Sequence, residues 1–217
     1  MQLRLREQLH WCDCGGRTVF LDVRADRYFC LAGPTNEAFL RLARGRIEEG
    51  DSARLKGLID RGLLVDDPDC GMIPAPCTAE PASSDLIASR RRLLPFLGVL
   101  VSELRAMWMI RHLAFADLLR TAAAGKAVRP PSDPVRCARM IAAAAASVAL
   151  LTGATDRCLV RALAVHWICR RRGLRSSLVF GVRLNPFAAH CWVQVGASVI
   201  VGEFEQARLY TPIMVLE

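Results

Sequence analysis

Two neighbouring stretches in the C-terminal third constrain this chain most. The first runs Asp156-Arg157-Cys158-Leu159-Val160-Arg161-Ala162-Leu163 and continues to Arg170-Arg171-Arg172-Gly173. The second runs Asn185-Pro186-Phe187-Ala188-Ala189-His190-Cys191-Trp192-Val193. The first reads as a helix. Asp156 is its N-cap, Arg157 and Cys158 sit in the first turn, and Leu159, Ala162, Leu163 and Val165 give an apolar face at helical spacing. The three arginines suit the negative end of the helix dipole, and Gly173 ends the helix. The second stretch reads as an apolar strand that opens on His190. A helix opening on a thiol and a strand opening on an imidazole call for a mixed α+β fold.

A thiol in the first turn feels the positive end of the dipole, so its pKa falls toward the reactive thiolate. The plain alternative is that Cys158 is a small buried apolar residue, as most free cysteines are. His166 lies eight residues on, about 12 Å of rise and roughly 80° of rotation away, too far to serve Cys158. His10 and His112 have no motif around them. His190 follows a Pro-containing loop at a strand start, a position that often carries function. Cys158 and His190 then read as nucleophile and base.

A third group should orient the imidazole. Val199-Ile200-Val201 reads as the return strand of a hairpin. With Gly196-Ala197 as a type II′ turn, Val195 pairs with Ser198 and His190 falls opposite Glu203. A three-residue loop instead sets His190 opposite Phe204 and Glu203 opposite Cys191. Glu205 is the fallback acid, and a solvated strand-end charge is the plain reading of Glu203. Trp192 either walls the site or packs in the core.

The pattern C-L-V-R-A-L-A…R-R-R-G-L…L-V-F-G-V-R…P-F-A-A-H-C-W-V, over roughly residues 135 to 217, resembles the leader-peptidase B protein of lasso-peptide biosynthesis. The resemblance implies a papain/transglutaminase-like cysteine peptidase with Cys158 as nucleophile and His190 as base. In that family an Asp follows the second strand. Here Glu203 takes its place, and Cys191 stands where the family commonly has Ala.

Residues 5 to 31 read as three short strands: Glu7 to Trp11, Thr18 to Val23 and Tyr28 to Leu31. A helix capped by Thr35 or Asn36 follows, with Ala38, Phe39 and Leu42 on one face. A second helix runs from about Asp51 to Arg61, and Gly62 to Asp66 closes a small winged-helix-like three-stranded module. This part is similar to the PqqD-like leader-recognition domain, through Asp22…Arg27-Tyr28-Phe29-Cys30-Leu31, Asn36-Glu37-Ala38 and Leu58…Arg61-Gly62-Leu63-Leu64. The implied function is capture of a leader peptide as an added strand. The expected organisation is 1–68 for recognition, a Pro/Ser/Gly-rich exposed linker over 69–84, and 85–217 for the peptidase, with a largely helical front half. Leu93 to Val101 and Met107 to Leu119 read as helical, as does the Ala-rich run Val135 to Leu151.

Charge divides along the same line. Residues 1–82 hold 11 Lys and Arg against 13 Asp and Glu, whereas 83–217 hold 18 against 8. The acidic module has no electrostatic footprint for phosphate, so nucleic acid is not an expected partner. The clusters Arg90-Arg91-Arg92 and Arg170-Arg171-Arg172 read as solvated helix faces, or as contacts for an acidic precursor or partner. The nine cysteines are odd in number and no signal peptide precedes them, which reads as a reduced, cytoplasmic protein. Cys12, Cys14, Cys70 and Cys77 fit no C-x-x-C metal pattern, so no metal or cofactor is expected. No uninterrupted apolar run reaches about 18 residues, so no membrane span is expected.

The resemblance implies two partners: the leader of a precursor peptide, and an ATP-dependent macrolactam synthetase that takes the freed amine. Two other readings are a transglutaminase-type acyl transferase on the same residues and a non-enzymatic peptide chaperone with Cys158 structural.

Overall fold

The computed structural model describes residues 3–67, 73–79, 93–124, 128–153 and 157–217. The chain divides into two compact units, Met1–Cys77 and Thr78–Glu217.

In the first unit, β2 (Leu9–Asp13), β3 (Thr18–Asp22) and β4 (Arg27–Cys30) form an antiparallel sheet in the order β2-β3-β4. Gly15 and Gly16 take positive φ at the first hairpin, and the Gly16 N–H donates to Asp13 Oδ1 at 2.6 Å. Two helices follow, α1 (Gly33–Ala43) and α2 (Asp51–Asp60). The strand β1 (Leu3–Leu5) pairs with β5 (Leu64–Asp66), a long-range ladder that the sequence reading did not contain. Trp11 and Phe20 each meet Phe39 of α1 edge-on, at 5.2 and 5.0 Å, and Leu55 and Leu58 of α2 close the core. Arg41 grips Asp51 through hydrogen bonds of 3.0 and 2.6 Å and ties α1 to the start of α2.

Two sequence expectations change here. The N-cap of α1 is Ala32, with Pro34 in the first turn, not Thr35 or Asn36. Asn36 is buried inside the helix and cross-links it to the sheet: its Oδ1 accepts from the Thr18 N–H at 2.8 Å, and its Nδ2 donates to the Gly16 carbonyl at 2.7 Å. Nor is the expected linker wholly exposed. Ile73 packs into the first core, and Trp11 Nε1 donates to the Pro74 carbonyl at 2.9 Å. An indole N–H buried beside a chain needs an acceptor, and the chain at Pro74 supplies it. The rest of the expected linker lies outside the described residues, 73–79 apart.

The second unit places helices before a sheet. They are α3 (Leu93–His112), α4 (Phe115–Ala123), α5 (Pro134–Thr152) and α6 (Cys158–Arg171). Strands β6 (Ser177–Arg183), β7 (Ala188–Val195), β8 (Ser198–Val201) and β9 (Thr211–Leu216) form an antiparallel sheet in the order β8-β7-β6-β9. A short α7 (Phe204–Ala207) links β8 to β9. The fold is thus α+β. The run Leu93 to Val101 continues through 102–106 into the second run, because no breaker lies there and Ser102, Glu103 and Ala106 all face inward, while the second run, Met107 to Leu119, is divided between α3 and α4 at Leu113-Ala114. Asp133 caps α5 by accepting from the Arg136 N–H at 2.9 Å. Helix α5 is long and apolar enough to cross a membrane by length and composition, yet Ala138, Ile141, Ala145 and Val148 pack inside the unit.

Asn36→Ala would leave the buried Thr18 N–H without an acceptor. An unmade buried hydrogen bond costs about 1–3 kcal/mol, so the first unit should unfold at clearly lower temperature in calorimetry.

Candidate active site

Helix α6 begins at Cys158 with Arg157 in the N-cap position, and no side chain caps it. The expected cap, Asp156, lies outside the described residues. The helix is buried on nearly all sides: Ala162, Leu163, Ala164, Val165, His166, Trp167 and Cys169 are covered. It needs apolar cover all round, and α3, α5 and β7 pack against it. Gly173, at positive φ, ends it as the sequence suggests. His166 is fully buried and bonds Ser176 Oγ through Nδ1 at 3.0 Å, and burial pulls its pKa down to about 4. It is a packed neutral histidine.

The start of α6 is fixed by a buried ion pair. Glu103 of α3 is 1% exposed and faces Arg161 at 3.6 Å. Arg161 Nη2 also donates to the Gly153 carbonyl at 2.5 Å, so one guanidinium joins α3, the end of α5 and the first turn of α6. Burial raises the Glu103 pKa, while Arg161 and Arg157 oppose that shift.

Cys158 meets β7. The Cys191 thiol donates to the Cys158 sulfur, His190 bonds the same sulfur, and the Cys191 backbone N–H adds a third contact. Led by the Cys191 thiol, these contacts outweigh partial burial and hold the Cys158 pKa down to about 4. The cost falls on Cys191, which is buried beside a thiolate and has its pKa pushed well above the usual thiol range. Cys158 is therefore the anion and Cys191 the donor.

His190 stands opposite Gly181 in the β6–β7 ladder. Its ring lies 6.2 Å from Trp192 and 5.2 Å from Tyr210. Gly181 makes this packing possible, since a Cβ there would lie 2.7 Å from the Trp192 ring and 2.9 Å from Tyr210 Cβ. His190 Nε2 is buried and has no hydrogen-bond partner among the described residues. Nε2 faces Gly202, whose Cβ position would lie 3.3 Å away.

Glu203 does not reach that nitrogen. The hairpin turns at Gly196-Ala197, and Val195 pairs with Ser198 and Gln194 with Val199, the two-residue register. A bulge then slips the ladder so that Val193 pairs with Val201, and β8 ends there. Glu203 becomes the N-cap of α7, with its side chain exposed and its carbonyl accepting from the Ala207 N–H at 2.8 Å. Glu205 is exposed as well. The structure thus brings Cys158 and His190 together and leaves Glu203 one residue beyond the position that faces His190. Trp192 is fully buried, with Nε1 donating to Gln194 Oε1 at 3.1 Å, so it packs in the core.

Sequence reasoning missed Cys191, Gly181 and Tyr210. The first carried a signal, a second sulfur next to the candidate base. Gly181, a glycine inside an apolar strand, also hinted at a close approach. Tyr210 carried none. Elsewhere the Cys12 and Cys14 sulfurs lie 3.6 Å apart, and no group of three metal-ligating side chains occurs among the described residues.

A first-turn thiolate opposed by a strand imidazole is suited to acyl transfer through a thioester. Residues 99–215, more than half of the chain, match the family model described as transglutaminase-like superfamily, and the chain belongs to that superfamily, which includes cysteine peptidases and acyl transferases. No curated protein and no solved structure matches the chain.

Cys158 should be alkylated by iodoacetamide at a rate that stays level as pH falls from 8 and drops with a midpoint near 4. Removing a donor destabilises the anion, so Cys191→Ala should move that midpoint up by roughly one unit or more. Peptide mapping of the alkylated protein at each pH reads both.

Proposed function

We propose that this chain is a cysteine peptidase that removes the leader from the ribosomally made precursor of a lasso peptide. The observation that carries the reading is the contact between the Cys158 sulfur and His190 at the start of α6. The motif around both residues supports the substrate class. Cys158 attacks the scissile carbonyl, and His190 gives its proton to the leaving amine. A water then attacks the thioester, losing its proton to His190, which returns a proton to the departing sulfur. The Cys158 N–H, in the first turn where no helical acceptor exists, is the proposed oxyanion donor.

Glu203 is the proposed orienting acid. A buried Nε2 calls for a polar partner, and Glu203 directly follows the residue that this atom faces. Its side chain would have to swing in from solvent. The first unit, a winged-helix-like PqqD-type module in this reading, binds the leader. Among the described residues its sheet order leaves β4 with β3 as its one strand partner, an edge where an extended peptide can add. Recognition (1–68) and cutting (85–217) on one chain raise the local concentration of the cleavage site. The freed amine would pass to an ATP-dependent macrolactam synthetase. Such a pathway is placed in the cytoplasm, where thiols stay reduced.

Mass spectrometry of a precursor encoded beside this chain, incubated with the wild type and with Cys158→Ala, tests the reading. One cut, by the wild type alone, is expected. Equal cutting by both would remove Cys158 from catalysis. Incorporation of an added primary amine at glutamine, without hydrolysis, would make the chain an acyl transferase. Glu203→Gln should slow cutting at least about tenfold if it orients His190, a loss of about 1.4 kcal/mol.

A further inference from the structure

Helix α3 is apolar on both sides. Its inner face, Val99, Ala106 and Met109 with Ser102 and Glu103, is buried in the second unit. A helix that is hydrophobic all round is normally covered all round. Yet Leu94, Leu97, Val101, Leu104 and Trp108 are 83, 46, 63, 53 and 60% exposed. Their spacing is three, four, three, four. That is the heptad seam by which one helix receives the knobs of another. Singly exposed apolar residues need no explanation, but a continuous line of five does.

The charge beside the seam says what kind of helix fits. Arg105, on α3 between Leu104 and Trp108, lies over the Trp167 ring at 5.4 Å. Together with Thr121, Arg170 and Arg171 these residues line a cavity of about 330 Å³, and no carboxylate among the described residues lines it. Arg170 donates one bond to the Ala123 carbonyl, and its buried Nε has no partner among the described residues. Three guanidiniums around one cavity suit carboxylates, which they can hold in bidentate pairs. A second copy of this chain fits poorly. Parallel pairing would set Arg105 against Arg105. Antiparallel pairing would bring Arg111 and His112 toward the end that follows Arg90-Arg91-Arg92.

We infer that the outer face of α3 and the arginine cavity beside it form a docking surface for an acidic amphipathic helix of a partner protein. The apolar seam takes the partner's heptad residues, and Arg105, Arg170 and Arg171 take carboxylates on its flank. The surface is separate from Cys158 and His190, and the inference does not depend on the peptidase reading.

Two synthetic three-heptad peptides test it, each with Leu at the seam positions, one flanked by Glu and the other by Lys. Fluorescence anisotropy with the full chain should show the Glu peptide binding at least about tenfold more tightly, a margin within reach of a few exposed ion pairs. Val101→Glu with Leu104→Glu should abolish that binding while leaving the Cys158 alkylation rate and melting temperature unchanged. Arg105→Glu with Arg171→Glu should reverse the preference toward the Lys peptide. Equal affinity for both peptides, binding untouched by the seam variant, or no binding of either would overturn the inference. So would self-association in sedimentation that the seam variant removes, which would make the occupant a second copy. Uptake onto phosphatidylglycerol vesicles with neither peptide bound would make the surface a membrane face and equally overturn it.

Discussion

The structure of the second unit depends on how the first residue of α6 is seated against β7. Helix α6 is held because the middle of its length, Ala162 to Trp167 with Cys169, is buried. Fully burying each large apolar side chain contributes about 1.5–3 kcal/mol, and α6 buries several. That energy fixes the axis of the helix. The Glu103–Arg161 pair then fixes its first turn against α3 and the end of α5. An apolar pair of the same size would often be as stable, so the ion pair is better understood as setting position than as adding stability. With the helix start held, the donors of β7 meet a sulfur that cannot move away.

The cysteines show how far surroundings decide chemistry. Burial, with the Cys137 thiol nearby, pushes the Cys169 pKa up to about 12 against one hydrogen bond from Ser176. Cys12 is also buried and raised, with Cys14 beside it. Cys158 is partly buried too, yet it moves the other way, because a thiol, an imidazole and a backbone N–H all face its sulfur. Position at a helix start contributes a favourable dipole. The contacts from β7 separate this cysteine from the others in the same chain.

The sequence made Cys158 and His190 legible because each is marked by local pattern: a helix start with a clear stop at Gly173, and a strand start after a Pro-containing loop. The two-residue turn at Gly196-Ala197 was legible for the same reason. Glu203 was not, because its place depends on a bulge between Val193 and Gln194 that no residue in the hairpin announces. Asn36 misled in a similar way. Its type suits a helix cap, but a buried Thr18 N–H across the fold needed its oxygen more. The β1–β5 ladder joins Leu3 to Asp66, and pairings at such separation leave no periodic trace. The outer face of α3 was hidden by the helix itself, since a helix apolar on both sides shows no contrast in its pattern.

Placement shows what several of the basic residues do. The second half of the chain is strongly basic, and composition of that kind raises the prospect of a phosphate groove. Four arginines among the described residues have defined structural partners. Arg161 holds Glu103, Arg170 reaches the Ala123 carbonyl, Arg183 lies over Tyr210 at 5.3 Å, and Arg105 lies over Trp167. These four sit near helix ends or over aromatic rings, in positions that serve packing. Arg105 and Arg170, with Arg171, converge at the cavity between α3, α4 and α6.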